Sequence, residues 1–454
     1  MEPERLNRAV HPLAFRAEHL QMYFLTRSRN RVGRFHFHVA TGIEKRPHAT
    51  QHKVAPHKEG QPVGNAGRIG TGTDRIGHGT GSPVAANTAA QYSPGMTSTV
   101  NPSTPRRTDA RRTLRSVADL LDAGLVTPEQ APELEQVARQ YATAIPPAFA
   151  ALIETPDDPI ARQVIPDAAE CHTEAVEDPD PIGDDALSPV PGIVHRYADR
   201  ALLKPLLVCP LYCRFCFRRE HVGPGGGVLD DAALARALDW LRTHTDIHEV
   251  VMTGGDPLML SPRRMRAIIA ALETMDHIHT IRIHTRVPVA DPARLDDAMA
   301  DALDTTRSMW VVAHINHARE LTPQARAAIR RVQARAIPVL GQSVLLRGVN
   351  DTPDALEALL RAQVSARIRP YYLHQLDPAP GTARFHVPIR EGQRLLASLR
   401  GRVTGIAWPT YVIDIPGGYG KVPIAPDYLH TGADGYLRVT APDGAIHRLA
   451  RERG

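Results

Sequence analysis

Cys209, Cys213 and Cys216 occur in the run Cys209-Pro-Leu-Tyr-Cys213-Arg-Phe-Cys216, a C-x3-C-x2-C spacing that offers three thiolates to one metal centre. A closed tetrathiolate zinc or iron–sulfur site needs a fourth ligand close by. The one other cysteine, Cys171, lies 38 residues upstream of Cys209 in a polar stretch. The economical reading is a [4Fe-4S] cluster held by Cys209, Cys213 and Cys216 with one iron left open. S-adenosylmethionine can bind such an iron through its amino and carboxylate groups and be split there by one electron. A zinc knuckle, or three unrelated buried cysteines, is the competing reading of the same residues.

Two glycine-containing segments could complete a site around that centre. Thr253-Gly254-Gly255-Asp256 directly follows an apolar run, and glycines there let backbone approach a ligand closely. That position suits the amino group of S-adenosylmethionine, although a plain turn has the same sequence. Asp414-Ile-Pro-Gly-Gly-Tyr-Gly-Lys421 reads as a strand end followed by a flexible turn that presents a lysine. An amine so presented can hold pyridoxal phosphate covalently, and a surface lysine on a glycine loop would look alike. Tyr197 and Arg200 add a hydroxyl and a guanidinium suited to the phosphate of that cofactor.

These residues need elements to hold them. With 454 residues the chain can form one large α/β domain with appendages. From residue 42 to about 107 it is rich in Gly, Pro, Thr, His and Ala without apolar periodicity, and residues 1–107 are expected to be a disordered, low-complexity leader. Met96 opens Met-Thr-Ser-Thr-Val-Asn-Pro, which reads like an ordinary protein start. A basic, acid-poor leader also suits an organellar transit peptide, but the segment lacks a sustained amphipathic helix, which favours the start at Met96.

Residues 108–192 are expected to form a small helical unit and a connector that is acidic over 174–185. Leu114, Val117, Leu120 and Leu121 recur at helical spacing, and Thr127-Pro128-Glu129-Gln130 reads as a helix start. Residues 193–430 alternate short apolar runs with amphipathic helices. After the strand preceding Cys209, the strand candidates are 250–252, 280–283, 309–313, 339–345 and 368–373. Ser261-Pro262, Thr322-Pro323 and Thr352-Pro353 each place a capping hydroxyl before a first-turn proline. Six such units imply an α/β fold, a partial parallel (β/α)6 barrel, with the cysteine loop at the C-terminal end of the first strand. Residues 431–454 are expected to be a short extension.

His195-Arg-Tyr197-Ala-Asp-Arg200, the cysteine run with Arg218 two residues past its last cysteine, Gly254-Gly255-Asp256, Pro370-Tyr-Tyr372 with Asp377, and Pro416-Gly-Gly-Tyr-Gly-Lys421 together resemble the lysine 2,3-aminomutase family of the radical S-adenosylmethionine superfamily. The resemblance runs from about residue 158 to 428 and keeps the family's order and spacing. It implies the radical S-adenosylmethionine type of partial barrel and an isomerase that moves the amino group of L-lysine from C2 to C3, giving β-lysine. It further implies that Lys421 holds pyridoxal phosphate, with Tyr197 and Arg200 at its phosphate and Gln342 beside the cofactors. Gly254, Gly255 and Asp256 would face S-adenosylmethionine, and Arg218 the substrate carboxylate. Asp377 and Asp414 would take the distal ammonium of lysine, two carboxylates for one cation. The related glutamate mutases, whose substrate is negative at that end, are not acidic at both positions. A reducing donor such as flavodoxin or ferredoxin and a homo-oligomer are implied as well.

Two features depart from the clostridial-type enzymes. Phe215 stands before the last cluster cysteine where they carry histidine, and no cysteine follows Cys216 to build their zinc-binding C-terminal segment. Short relatives without that segment include enzymes that isomerise lysine for attachment to elongation factor P, which is the alternative within the family. The PGGxGK turn looks closer to the free-lysine enzymes.

Composition narrows the other classes. No run of 18 apolar residues occurs, so no membrane-spanning helix is expected. Four cysteines, three of them clustered, point to a reducing cytoplasm rather than a disulfide framework. The formal charge is +5, but residues 1–95 carry 13 Lys and Arg against 6 Asp and Glu, so the body is not expected to bind nucleic acid. A radical S-adenosylmethionine enzyme without pyridoxal phosphate, or an iron–sulfur carrier without catalysis, would leave Lys421, Tyr197 and Arg200 unexplained.

Overall fold

The computed structural model describes residues 112–223 and 225–451, and the leader expected over residues 1–107 lies outside the described residues. Ser116 opens α1 (Val117–Asp122) with a capping box, its hydroxyl accepting from the Asp119 N–H while the Asp119 carboxylate accepts from the Ser116 N–H. Thr127 to Gln130 forms a turn closed by the Gln130 side chain, so α2 (Ala131–Gln140) begins after the expected start rather than in it. A single turn, α3 (Pro147–Ala150), follows. Leu114 lies outside α1, bridged to Ile145. Leu114, Val117, Leu120 and Phe149 bury together with Leu211 of the cysteine loop, so this unit supports that loop from beneath.

Among the described residues, one nine-stranded sheet runs in sequence order. β1 (Ile193–Tyr197) and β2 (Arg200–Leu206) form an antiparallel hairpin. From β2 the strands are parallel through β3 (Glu249–Gly254), β4 (Thr280–Thr285), β5 (Ser308–His314), β6 (Val339–Val344), β7 (Arg369–His374) and β8 (Thr410–Ile415). β9 (Gly420–Pro423) turns back antiparallel on β8. The crossovers are α4 (Asp231–Thr243), α5 (Pro262–Glu273), a single turn α6 (Val287–Ala290) with α7 (Asp297–Ala302), α8 (Pro323–Gln333), α9 (Pro353–Ser365) and α10 (Ile389–Ser398). The six βα units of the partial barrel are all present, and β8 adds one more parallel strand after them.

The local reasons are visible in the sequence. Ser261, Thr322 and Thr352 accept from the N–H groups of Arg264, Ala325 and Ala355, and proline takes the first helical position each time. Met265, Ile268, Ile269 and Leu272 of α5 are buried against the sheet, each such side chain contributing about 1.5–3 kcal/mol of transfer free energy. In β4 the alternation sends Ile281 and Ile283 into the core, and Arg282 and His284 to the inside of the barrel.

β1 and β9 stand at opposite ends of the strand order and do not pair. Pro181 to Asp184 runs between them. The Gly417 N–H donates to the Pro181 carbonyl at 3.1 Å, while Arg196 of β1 donates to the Ile182 carbonyl. Gly183 makes the approach feasible: its φ is +69°, and a Cβ there would meet the Gly417 and Gly418 backbone at 3.0 Å. After β9, β10 (Leu429–Thr431), β11 (Tyr436–Thr440) and β12 (Ile446–Arg451) form a separate antiparallel sheet, so the division expected at 430/431 falls within β10. Among the described residues no helix is long and apolar enough to cross a membrane.

Candidate active site

A cavity of about 570 Å³ lies inside the barrel, and each of the thirteen residues singled out above as site candidates lines it. Cys209, Cys213 and Cys216 reach it from the loop after β2, and all three also line an adjoining pocket of about 40 Å³ beside Tyr141 and Ala142. Cys171 lines neither. Burial pushes the Cys216 thiol up to about 11, and the neighbouring Cys213 sulfur adds to the shift. Burial likewise raises Cys209 well above the ordinary thiol range. Arg286 Nη1 stands 2.6 Å from Cys213 Sγ. Cys209 and Cys216, which burial holds as thiols, lie with Cys213 around one space, and a cationic iron–sulfur centre there would stabilise thiolates. Among the described residues no three His, Cys, Asp or Glu side chains converge as the ligands of a single ion. A cubane cluster requires no such convergence, because each thiolate binds its own iron.

Glu170 braces the cysteine loop from below. It is 1% exposed and accepts from Arg214 and Arg219 of that loop, with Arg384 also paired to it. Burial opposes its ionisation, but the charges and hydrogen bonds of these guanidiniums outweigh that and lower its pKa.

The Gly-Gly-Asp segment is also a brace. A Cβ on Gly255 would come within 2.4 Å of the Val208 backbone, and one on Gly254 within 2.7 Å of the Leu206 carbonyl. The glycines therefore admit the strand that leads into the cysteine loop, and they line the cavity as well. Asp256 is 3% exposed, and its carboxylate accepts from the Thr285 hydroxyl at 2.7 Å and from the N–H groups of Arg286, Val287 and Leu258. Its acceptor capacity is thus taken up by the ends of β3 and β4.

At the other side of the cavity Lys421 Nζ contacts the Asp414 carboxylate and lies 3.2 Å from His374 Nδ1. The Lys421 N–H donates to the Tyr197 hydroxyl oxygen, and the Arg200 guanidinium covers the Tyr197 ring at 3.7 Å from its centroid. Burial works against a charged Asp414, yet hydrogen bonding to His374 and the charge of Lys421 prevail and hold it well below the usual carboxylate range. Asp377 behaves oppositely: burial and then repulsion from Asp414 push it up to about 7. The two carboxylates are thus close enough to repel across the cavity wall. The Gln342 side chain has no hydrogen-bond partner among the described residues, so it is not a satisfied core amide. Arg218 Nε donates to Asp184 Oδ2 at 2.7 Å.

Sequence reasoning missed Asp184, Arg196, His284, His314 and His374. Arg196 lies 3.6 Å from Asp414 and 3.4 Å from Asp184. The three histidines line the cavity on β4, β5 and β7, and burial lowers each of them, His314 to about 3, so they are neutral. The signal was the period of two: Arg282 with His284, and Tyr372 with His374, share one face of their strands. The buried Nε2 atoms of His284 and His374 have no hydrogen-bond partner among the described residues.

Comparison with known proteins places this geometry. The Radical SAM superfamily model matches residues 203–360, and the Lysine-2,3-aminomutase model matches residues 396–443. L-lysine 2,3-aminomutase of Clostridium subterminale is 35% identical over 325 residues, covering 71% of this chain and 78% of that protein. The L-lysine 2,3-aminomutase of Methanococcus maripaludis is 36% identical over 300 residues, 65% of this chain and 69% of the relative. The glutamate 2,3-aminomutase of Clostridioides difficile is 30% identical over 329 residues, 72% of this chain and 78% of the relative.

Proposed function

Because the chain belongs to the lysine 2,3-aminomutase family of radical S-adenosylmethionine isomerases, we propose that it moves the amino group of L-lysine from C2 to C3 and uses pyridoxal phosphate to do so. The [4Fe-4S] cluster and S-adenosylmethionine that go with the family supply one-electron chemistry that creates a hydrogen-abstracting radical. Pyridoxal phosphate supplies a π-system over which unpaired electron density can spread while nitrogen migrates.

The residues of the chain position and shield these groups. Cys209, Cys213 and Cys216 hold the cluster on a loop kept in place by Gly254, Gly255, Asp256 and Glu170. Lys421 carries pyridoxal phosphate, Tyr197 and Arg200 meet its phosphate, and the free amide of Gln342 meets a polar atom of a cofactor. Arg218 takes the substrate carboxylate through its terminal nitrogens. The neutral histidines leave no additional cation to oppose the substrate ammonium.

The observation that carries lysine over glutamate is the pair Asp377 and Asp414 on one cavity wall, near enough to repel each other. Asp414 now pairs with Lys421. With pyridoxal phosphate held by Lys421 that amine would no longer be the cation beside Asp414; an arriving ammonium would supply one, whereas a substrate with a distal carboxylate would add a third negative group. A reducing donor such as flavodoxin or ferredoxin, a homo-oligomeric assembly and a cytoplasmic location complete the proposal.

The test is anaerobic incubation of the reconstituted, reduced full chain with L-lysine and L-glutamate in parallel. β-Lysine from the first and no product from the second is expected. Turnover of glutamate alone would overturn the substrate assignment.

A further inference from the structure

Pro181 to Asp184, read from sequence as part of an acidic connector, places one carboxylate against three cations, two of which, Arg196 and Arg218, line the cavity. Arg218 Nε donates to Asp184 Oδ2 at 2.7 Å, Lys204 Nζ lies 3.8 Å from the same oxygen, and Arg196 Nη2 lies 3.4 Å from Asp184 Oδ1. The Asp184 side chain is 6% exposed and that of Arg218 is 11% exposed. Arg218 Nη1 has only a long 3.4 Å contact with Thr253 Oγ1, and its Nη2 has no hydrogen-bond partner among the described residues. The guanidinium is therefore gripped at its inner nitrogen, while its terminal edge faces the cavity it lines.

We propose that Asp184 is a positioning residue for substrate recognition: it fixes Arg218 by Nε so that the terminal Nη edge is presented to the substrate carboxylate. This rests on Arg218 as the carboxylate-binding group. A planar guanidinium with two usable edges recognises a carboxylate well only when one edge is already committed, because the rotamer is then settled before the ligand arrives. Arg196 extends the arrangement: it touches Asp184 on one side and approaches Asp414 at 3.6 Å on the other. The segment that crosses between β1 and the β8–β9 turn thus ties the carboxylate end of the site to its ammonium end.

The measurement is the ratio of dissociation constants for L-lysine and L-lysinamide, by calorimetry, on unreduced holoenzyme in which no turnover occurs. The parent is expected to prefer lysine at least thirtyfold. Asp184→Asn is expected to cut the preference to threefold or less while weakening lysinamide binding less than threefold, and Asp184→Glu to restore most of it. A merely structural loss would weaken both ligands alike and leave the ratio in place, which would overturn the inference, as would a folded Asp184→Asn variant with the parent ratio. Lys204→Gln removes a competitor for Asp184 and should keep or raise the ratio. A fall to parity there counts against Asp184 even if Asp184→Asn does not fold. A parent that binds lysine and lysinamide equally would instead remove the role of Arg218, and with it the premise.

Discussion

The backbone N–H of Lys421 donates to the Tyr197 hydroxyl oxygen at 2.8 Å, which ties the lysine in the last strand of the large sheet to the hairpin that begins it. Gly420 permits the contact: its φ is +101°, and a Cβ there would stand 3.3 Å from the same hydroxyl. Tyr197→Phe should keep the ring under Arg200 and lose this bond together with the hydroxyl proposed to meet the cofactor phosphate. A destabilisation of about 1 kcal/mol is expected, with faster loss of pyridoxal phosphate on desalting and unchanged iron content. Denaturant unfolding and the visible spectrum of the bound cofactor check it, and parent-like cofactor retention would show that the Tyr197 hydroxyl neither tethers Lys421 nor holds the phosphate.

Gly255→Ala addresses the brace behind the cysteines. The added methyl would collide with the Val208 backbone at 2.4 Å, and the colliding atoms cannot rotate away. A loss of about 1–3 kcal/mol in stability is expected from such overpacking, together with iron content below half the parent value after reconstitution. A variant with full iron and parent stability would mean that the β3 end and the cysteine loop do not meet as described.

Much of this was legible because it is local. Proline at the first helical position, a capping hydroxyl before it, and three cysteines in eight residues are patterns within one turn or loop, and Ser261, Thr322, Thr352 and Cys209 to Cys216 stand accordingly. Strand order followed from the regular alternation of strand and helix. What stayed hidden was long-range. Asp184 sits 34 residues from Arg218 in a segment without apolar periodicity, so charge composition alone described it as a connector. That Gly254 and Gly255 also admit a strand could not be read, because that strand is some fifty residues away. The pairing of Asp414 with Lys421 was hidden by the hairpin register that sets them opposite each other.

That pairing separates the variants of three polar residues. Lys421→Ala should lose the cofactor band and keep the cluster. Asp377→Ala should keep both and lower lysine turnover at least a hundredfold, since a buried ammonium without its partner costs several kcal/mol. Asp414→Ala should do the second and also disturb cofactor loading, because its carboxylate contacts the Lys421 amine. If both aspartate variants turned over lysine at the parent rate, the carboxylates would not face the substrate.

Alanine at Cys209, Cys213 or Cys216 should each abolish the cluster and S-adenosylmethionine cleavage, whereas Cys171→Ala should do neither, since Cys171 lines neither cavity. Iron analysis and an anaerobic cleavage assay decide it. A folded Cys171 variant without iron would assign the cluster a fourth thiolate.

The raised Asp377 gives substrate binding a proton signature. Burial and the Asp414 charge push its carboxyl up to about 7, so the folded, empty site keeps a proton that the unfolded chain releases near pH 4. Between about pH 4 and 7 the folded state binds more protons than the unfolded one, and this group's contribution to stability falls as pH rises. An arriving ammonium favours the ionised carboxylate. Lysine binding should therefore release about half a proton at pH 7 and tighten as pH rises through 7, then level off. L-norleucine shares the α-amino acid end and lacks the ammonium, so subtracting its proton release isolates the contribution of Asp377. Calorimetry in two buffers of different ionisation enthalpy reads the difference, which Asp377→Asn should abolish. Equal proton release for lysine and norleucine in the parent enzyme would show that Asp377 does not exchange its proton for the substrate cation.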